Sequence, residues 1–239
     1  MVIGAETIAR LRGANSLEEV LRLGADEIRV RGVPRASYHH HAPPGAPDWA
    51  TTISVYAFGF PEDWVEVYRA NNYGRIDPIA RRAARECFPF WWADVIERGD
   101  FSAAERAYVE RARAAHLGSG LAVPVFGPNG RNGYVGIGFG KDPPVISDLD
   151  VLQLQWLAEL LHKRYSEILI GTFEELRLST REMEVLQWIA QGKSNSVVAD
   201  IVGISEGTVD TYLKRAFTKL GVHDRITAVL RALALGLMN

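Results

Sequence analysis

Leu178–Leu220 reads LSTREMEVLQWIAQGKSNSVVADIVGISEGTVDTYLKRAFTKL, and it contains three short helical signals in succession. Ser179 followed by Glu182 is a capping box: the hydroxyl accepts from a first-turn N–H and the carboxylate reaches back to the cap. Ser194 and Ser205 stand in the same N-cap role for the next two segments. Gly192 and Gly203 close the preceding segments, where a left-handed residue is favoured.

The third segment gives the stretch its meaning. Val209, Leu213, Ala216, Phe217 and Leu220 fall at i, i+4, i+7, i+8 and i+11, forming one apolar stripe. The opposite face carries Gly207, Thr211, Lys214, Arg215 and Thr218, all small, hydroxylated or cationic. A helix of this kind packs on two partners while its outer face enters a major groove. The same pattern also suits a small helical subdomain with a solvated face.

The runs TREMEVL, GKSN, GISEGTV and KLGV resemble the C-terminal helix-turn-helix domain of the LuxR family of transcription factors. Glu182, Leu186 and Gly192 match positions at which that family is nearly invariant, so the resemblance implies DNA binding. It places Lys193, at the start of the turn, and Thr208, in the first turn of the recognition helix, as phosphate contacts. Thr211, Lys214 and Arg215 share the outer face, and the two cations can reach phosphates or base edges. Asp210 and Tyr212 depart from many relatives, so base preference does not transfer.

Composition fits a two-domain globular chain. It has 239 residues, 47% of them hydrophobic and 23% charged. The formal net charge of -2 means that the basic footprint of a DNA binder is local, and affinity is expected to need dimerisation. A single cysteine, Cys87, excludes an internal disulfide and a thiolate metal cage. With no leader pattern and no apolar run of membrane-spanning length, the expected location is the cytoplasm.

The N-terminal half reads as α+β: helices flanking a small, mostly antiparallel sheet, joined to a separate all-α helix-turn-helix domain. Ser16 with Glu19 opens a helix to about Ile28, Pro61 one to about Asn71, Asp77-Pro78 another, and Ser102 with Glu105 one ending near Gly118. Ala36–His41 and Thr51–Phe58 read as strands, and Leu121–Phe126 and Tyr134–Gly140 as a hairpin around GPNGRNG. Ser147–Ile170 is a long helix. Residues 1–170 therefore form one domain, 171–177 a linker and 178–239 the other. Asp224 caps a last helix whose Ile226, Val229, Leu230, Leu233 and Leu235 exceed one stripe, leaving apolar surface for a second copy. In the triplet His39-His40-His41 only His39 and His41 share a strand face, and no carboxylate cluster completes a metal site, so it reads as a polar strand face.

Aromatic residues crowd around one acid between positions 60 and 92: Phe60, Trp64, Tyr68, Tyr73, Asp77, Phe88, Phe90, Trp91 and Trp92. Trp64 and Tyr68 share a helix face. The aromatics suit an ordinary core, but a buried carboxylate among them needs N–H-bearing groups nearby. The spacing of Trp64, Tyr68, Asp77, Pro78 and Trp92, with Gly120 before LAVP, resembles the autoinducer-binding domain of the LuxR family. That resemblance implies an α-β-α sandwich holding an N-acyl-homoserine lactone; no cofactor, metal or catalytic residue is expected beside it. Trp64 would donate to the lactone carbonyl and Asp77 accept from the amide N–H, with Trp92 on the lactone ring and Tyr68 on the acyl portion.

Two departures bear on the ligand. Phe60 stands where the family commonly has a tyrosine whose hydroxyl meets the amide carbonyl. Gly136 stands where several members carry Ser or Thr. The loss of both hydroxyls argues against a 3-oxo acyl chain. Gly133, Gly136, Gly138 and Gly140 leave a sheet face short of side chains, with room for a bulky tail, so an unsubstituted, branched or aromatic acyl group is expected. The expected partners are double-stranded DNA with an inverted-repeat operator, the lactone and a second copy of the chain. Three other functions compete. A regulator sensing a non-lactone molecule is compatible with Phe60. A response regulator would need a doubly wound receiver that the N-terminal half lacks. A lactone hydrolase would need a G-x-S-x-G elbow or a partner acid for Asp77, and neither is present.

Overall fold

The computed structural model describes residues 3–49, 54–97, 99–141, 145–173 and 176–238. The chain divides into two compact units. One comprises Met1–His41, Ala50–Gly127 and Arg131–Ile168; the other comprises Ala42–Trp49, Pro128–Gly130 and Leu169–Asn239.

The first unit is built on five antiparallel strands: β1 (Arg35–His41), β2 (Ser54–Phe58), β3 (Phe90–Trp91), β4 (Ser119–Phe126) and β5 (Asn132–Gly140), in the order β2-β1-β5-β4-β3. The sequence puts the second strand at Thr51–Phe58, of which Thr51–Ile53 lie outside the described residues. Helices α1 (Ala5–Gly13) and α2 (Leu17–Val30) precede the sheet. Between β2 and β3 come α3 (Glu62–Ala70) and α4 (Pro78–Ala83). Then follow α5 (Trp92–Ile96), α6 (Ala103–Ala114) and, after β5, α7 (Asp148–Gly171).

Strand alternation sorts the side chains into two layers. On one face, Ala36 and Tyr38 of β1 and Val135 of β5 meet Leu21 and Ala25 of α2 and Leu161 of α7. Within that layer Tyr38 Oη lies 2.8 Å from His162 Nδ1, and His162 Nε2 lies 2.9 Å from the Arg131 carbonyl. The other face is covered by α3 to α6, which completes the α-β-α sandwich. Ser16 accepts from Glu19 N, and Ser102 with Glu105 forms a full capping box. Helix α6 stops at Ala114, short of Gly118, because His116 and Gly118 turn into the left-handed region and hand the chain to β4. The sequence reading passed over α1, β3 and α5. Two of these are too short, at 2 and 5 residues, to express a period.

The second unit holds α8 (Thr180–Ala190), α9 (Asn195–Val202), α10 (Glu206–Leu220) and α11 (Arg225–Ala234). Each starts on its expected cap: Ser179, Ser194, Ser205 and Asp224 all accept from backbone N–H groups of the first turn. Gly192, Gly203 and Gly221 adopt positive φ where the preceding helices end. The apolar stripe of α10 enters the core, where Val209, Leu213, Ala216 and Leu220 are buried against Val185, Leu186, Val198 and Ala228. Ile226, Leu230 and Leu233 of α11 remain exposed.

Candidate functional site

Between the sheet and helices α3 to α6 lies a cavity of about 280 Å³. Phe60, Trp64, Tyr68, Asp77 and Trp92, all singled out from the sequence, line it. Trp64 and Tyr68 project from one face of α3, and Pro61 ahead of them starts that helix. Asp77 reaches the cavity because it is the N-cap of α4: its Oδ1 accepts from Ile79 N at 2.8 Å, while Pro78 fixes the first helical position.

Asp77 is buried, and its donors differ from the expectation of N–H groups alone. Tyr68 Oη donates to Oδ2 at 3.0 Å and Tyr134 Oη to the same oxygen at 3.5 Å, and the Tyr108 hydroxyl is a further partner. Burial pushes the Asp77 carboxyl up from its ordinary value, against the downward pull of Ile79 N, Tyr68 and Tyr108. Burial and the adjacent carboxylate also hold the phenols of Tyr68, Tyr108 and Tyr134 well above the ordinary tyrosine range, so each remains a donor. The result is an acceptor in an apolar wall, supported by three hydroxyls and the start of a helix.

Trp92, at the start of α5, lies with its ring over β4. A Cβ at Gly120 would stand 2.5 Å from three atoms of that ring, so glycine is what lets the indole lie against the strand. Gly136 is not among the residues lining the cavity. A Cβ there would come within 2.6 Å of Ser37 Oγ, which is directly across the β1–β5 pair and does line it. A hydroxyl is therefore present where the sequence suggested one was missing. The bare glycine face also needs correction: Gly133 has the strand parity of Val135, which faces α2, while a Cβ at Gly138 would already touch Arg35, Trp92 and Phe60.

Several aromatics of the sequence cluster stand elsewhere. Tyr73 packs behind Trp64, Phe90 lies in a cluster with Ile79 and Ala80, Trp91 meets Phe139, and Phe88 is exposed. The cavity residues that the sequence reading missed include Tyr108, Tyr134, Ser37 and His39. Their signal was strand parity for Ser37, His39 and Tyr134, and the inner face of α6 for Tyr108. His39 and His40 are both buried, one on each side of the sheet, so the triplet is interior on both faces and not a polar face.

In the second unit, the outer face of α10 is exposed at Gly207, Thr211, Lys214 and Arg215. Thr208 Oγ1 lies 2.8 Å from Ser205 Oγ, and Thr211 donates to the Gly207 carbonyl at 2.9 Å. Lys214 is ion-paired to Asp210 at 2.7 Å. Lys193 is exposed ahead of α9, and its carbonyl accepts from Arg225 at 3.2 Å.

A small-molecule cavity in an α-β-α sandwich, carried on the same chain as a helix-turn-helix module, defines the class: a ligand-binding domain joined to a DNA-binding domain. The model of the autoinducer binding domain matches residues 16–165, and that of bacterial regulatory proteins of the luxR family matches residues 176–238. The chain belongs to the LuxR family of autoinducer-binding transcriptional regulators. Its relatives include the HTH-type quorum sensing-dependent transcriptional regulator RpaR of Rhodopseudomonas palustris, 29% identical with both chains covered in full. Transcriptional activator protein SolR of Ralstonia solanacearum is 32% identical over 75% of this chain and 76% of its own. Among solved structures, Escherichia coli SdiA has the same fold, with a TM-score of 0.75 at 24% identity over 98% of this chain and 97% of that one. SdiA in complex with octanoyl-rac-glycerol gives a TM-score of 0.74 at 25% identity, covering 97% of this chain and 93% of that one.

Proposed function

We propose that this protein is a cytoplasmic quorum-sensing regulator that binds an N-acyl-homoserine lactone in residues 1–170 and operator DNA through residues 178–239. The observation that carries the reading is the buried Asp77 carboxylate in the wall of an aromatic-lined cavity. A lactone of this class supplies an amide N–H for Asp77, a ring carbonyl for the Trp64 indole, a ring to lie on Trp92 and an acyl chain to pack on Tyr68. The cavity volume is at the small end for ligand pockets, which favours a compact acyl group, branched or aromatic, over a long 3-oxo chain.

On DNA the protein acts as a homodimer on an inverted repeat, with α10 in the major groove and Lys193, Thr208, Thr211, Lys214 and Arg215 at phosphates and base edges. The exposed apolar residues of α11 suit pairing with a second copy. Among the described residues no second acid hydrogen-bonds to Asp77, and its relatives are transcriptional regulators, which supports a lactone that is bound and not turned over. Mass spectrometry of protein expressed with a panel of acyl-homoserine lactones tests the reading. Stoichiometric retention of one lactone is expected, lost in Asp77→Asn and Trp64→Phe. No retention by soluble wild type overturns it, and ring opening by purified protein overturns the non-enzymatic part.

One observation favours a second reading, a sensor of a non-lactone amphiphile. The Asp77 carboxylate is already met by Ile79 N and tyrosine hydroxyls, and SdiA is seen with octanoyl-rac-glycerol, which offers no amide N–H. Asp77→Asn that abolishes lactone binding but spares a monoacylglycerol would favour this alternative.

A further inference from the structure

Two polar side chains on β1 stand in the cavity wall with no role in the scheme above. Ser37 and His39 are two residues apart, so both face the cavity. A Cβ at position 136 would stand 2.6 Å from Ser37 Oγ and 3.6 Å from Trp92 Cζ2, so Ser37 Oγ crowds the space that a side chain there would need. The hydroxyl and the edge of the indole therefore flank one point on the sheet floor.

His39 fixes how that hydroxyl is used. Its ring stacks on Tyr134 at 4.1 Å and 11°, which sets its plane, and its Nε2 lies 3.0 Å from Ser37 Oγ. Burial lowers the imidazole to about 3, so the ring is neutral and carries one proton. Its Nδ1 is buried without a hydrogen-bond partner. An orphaned N–H inside a protein is rarer than an orphaned lone pair, so the proton belongs on Nε2. Nε2–H then donates to Ser37 Oγ, and the Ser37 O–H is left to donate to something else. Ser37 makes no other side-chain hydrogen bond among the described residues.

We infer that Ser37, oriented by His39, donates a hydrogen bond to the acyl carbonyl oxygen of the bound lactone. This assignment rests on the lactone reading of the cavity. An amide that turns its N–H toward Asp77 presents its carbonyl on the opposite edge, because the planar trans amide holds the two antiparallel. Phe60 lines the same cavity and has no hydroxyl to offer that oxygen. Ser37 is a ligand-contacting residue and His39 its positioning residue.

The test uses the full-length protein and the lactone that wild type binds most tightly from a panel of straight, branched and aryl acyl-homoserine lactones. Titration calorimetry compares that lactone with its thioamide analogue, which keeps the shape and the N–H but is the poorer acceptor. Ser37→Ala is expected to weaken lactone binding about tenfold and to lose most of the wild type's discrimination against the thioamide. The swap Ser37→Ala/Gly136→Ser places a hydroxyl in the vacated space from the neighbouring strand and is expected to restore both. His39→Phe keeps the stacked ring but removes the donor, giving an intermediate loss of affinity and of discrimination. If Ser37→Ala does not fold, Ser37→Cys supplies the weak-donor comparison. Unchanged affinity and unchanged discrimination in the Ser37 variant overturn the assignment alone; absence of any lactone binding by wild type overturns the lactone reading and this assignment together.

Discussion

Glu182 uses one carboxylate oxygen for two purposes. Its Oε2 accepts from Ser179 N at 2.7 Å, closing the capping box of α8, and from Lys219 Nζ at 2.6 Å, tying α10 to the same point. Burial works against ionisation here, but Lys219 and Ser179 outweigh it and hold the carboxyl below its ordinary value. A depressed folded-state pKa gives stability that is present above the unfolded carboxylate range and is lost as pH falls through the folded value. Glu182→Gln should therefore destabilise the helix-turn-helix domain by about 1–3 kcal/mol, read by thermal unfolding at neutral pH. The deficit should shrink in acid. Half of this was legible: the S-x-x-E spacing announces the cap, whereas nothing local announces a lysine 37 residues later. The cavity shows the same division. Trp64 and Asp77 stand in a spacing a reader can match, but Tyr108 meets Asp77 only because α6 folds across the sheet.

At the level of elements, β1 runs between two uncharged imidazoles, its own His39 on one side and His162 of α7 on the other. His39 faces the cavity, and on the far side Tyr38 meets His162 of α7. Burial depresses His39 to about 3 and His162 to about 4. A lowered folded-state value means stability that is complete above the unfolded histidine range and is lost as pH falls toward the folded one. Each buried histidine should then cost about 1.4 kcal/mol per pH unit below its unfolded pKa of ~6.5. Thermal unfolding of the N-terminal domain between pH 7 and 5 should show the decline, and His162→Gln should flatten it. A flat profile in wild type would contradict the neutral assignment. The strands were legible from alternation and turn residues. Their neighbours in the sheet were not, because pairing β1 with β5 is a long-range choice that local pattern does not encode. For that reason Ser37 and Gly136 read as unrelated residues until the register brings them together.

For the whole molecule, the division into an α+β half and an all-α half was legible, because each half carries its own caps and its own hydrophobic period. Two behaviours of the full chain follow. A ligand that binds only the folded cavity should raise unfolding stability by about 2.7 kcal/mol at a hundredfold excess over its Kd, so melting temperature should climb with lactone concentration without an early plateau. On DNA, Lys214 begins the encounter already paired to Asp210. Asp210→Asn should release the cation, tighten non-specific binding and steepen the logarithmic salt dependence by up to about one unit, measured by fluorescence anisotropy from low to moderate salt. An unchanged slope would place Lys214 away from phosphate.

The indole seated on Gly120 also constrains how such a sensor can diverge. Adding even a methyl group at 120 leaves no room for the ring, and shrinking the ring first would leave a gap over the strand, so neither position changes profitably alone. New specificities in a lineage descended from this chain should therefore accumulate elsewhere on the cavity wall, while Trp92 and Gly120 change together or not at all. Gly120→Ala should lose ligand retention, and the pair Gly120→Ala/Trp92→Phe should regain part of it. Under this constraint the Trp92 end of the pocket is inherited as a unit, and the rest of the cavity wall is where one ligand comes to be told from another.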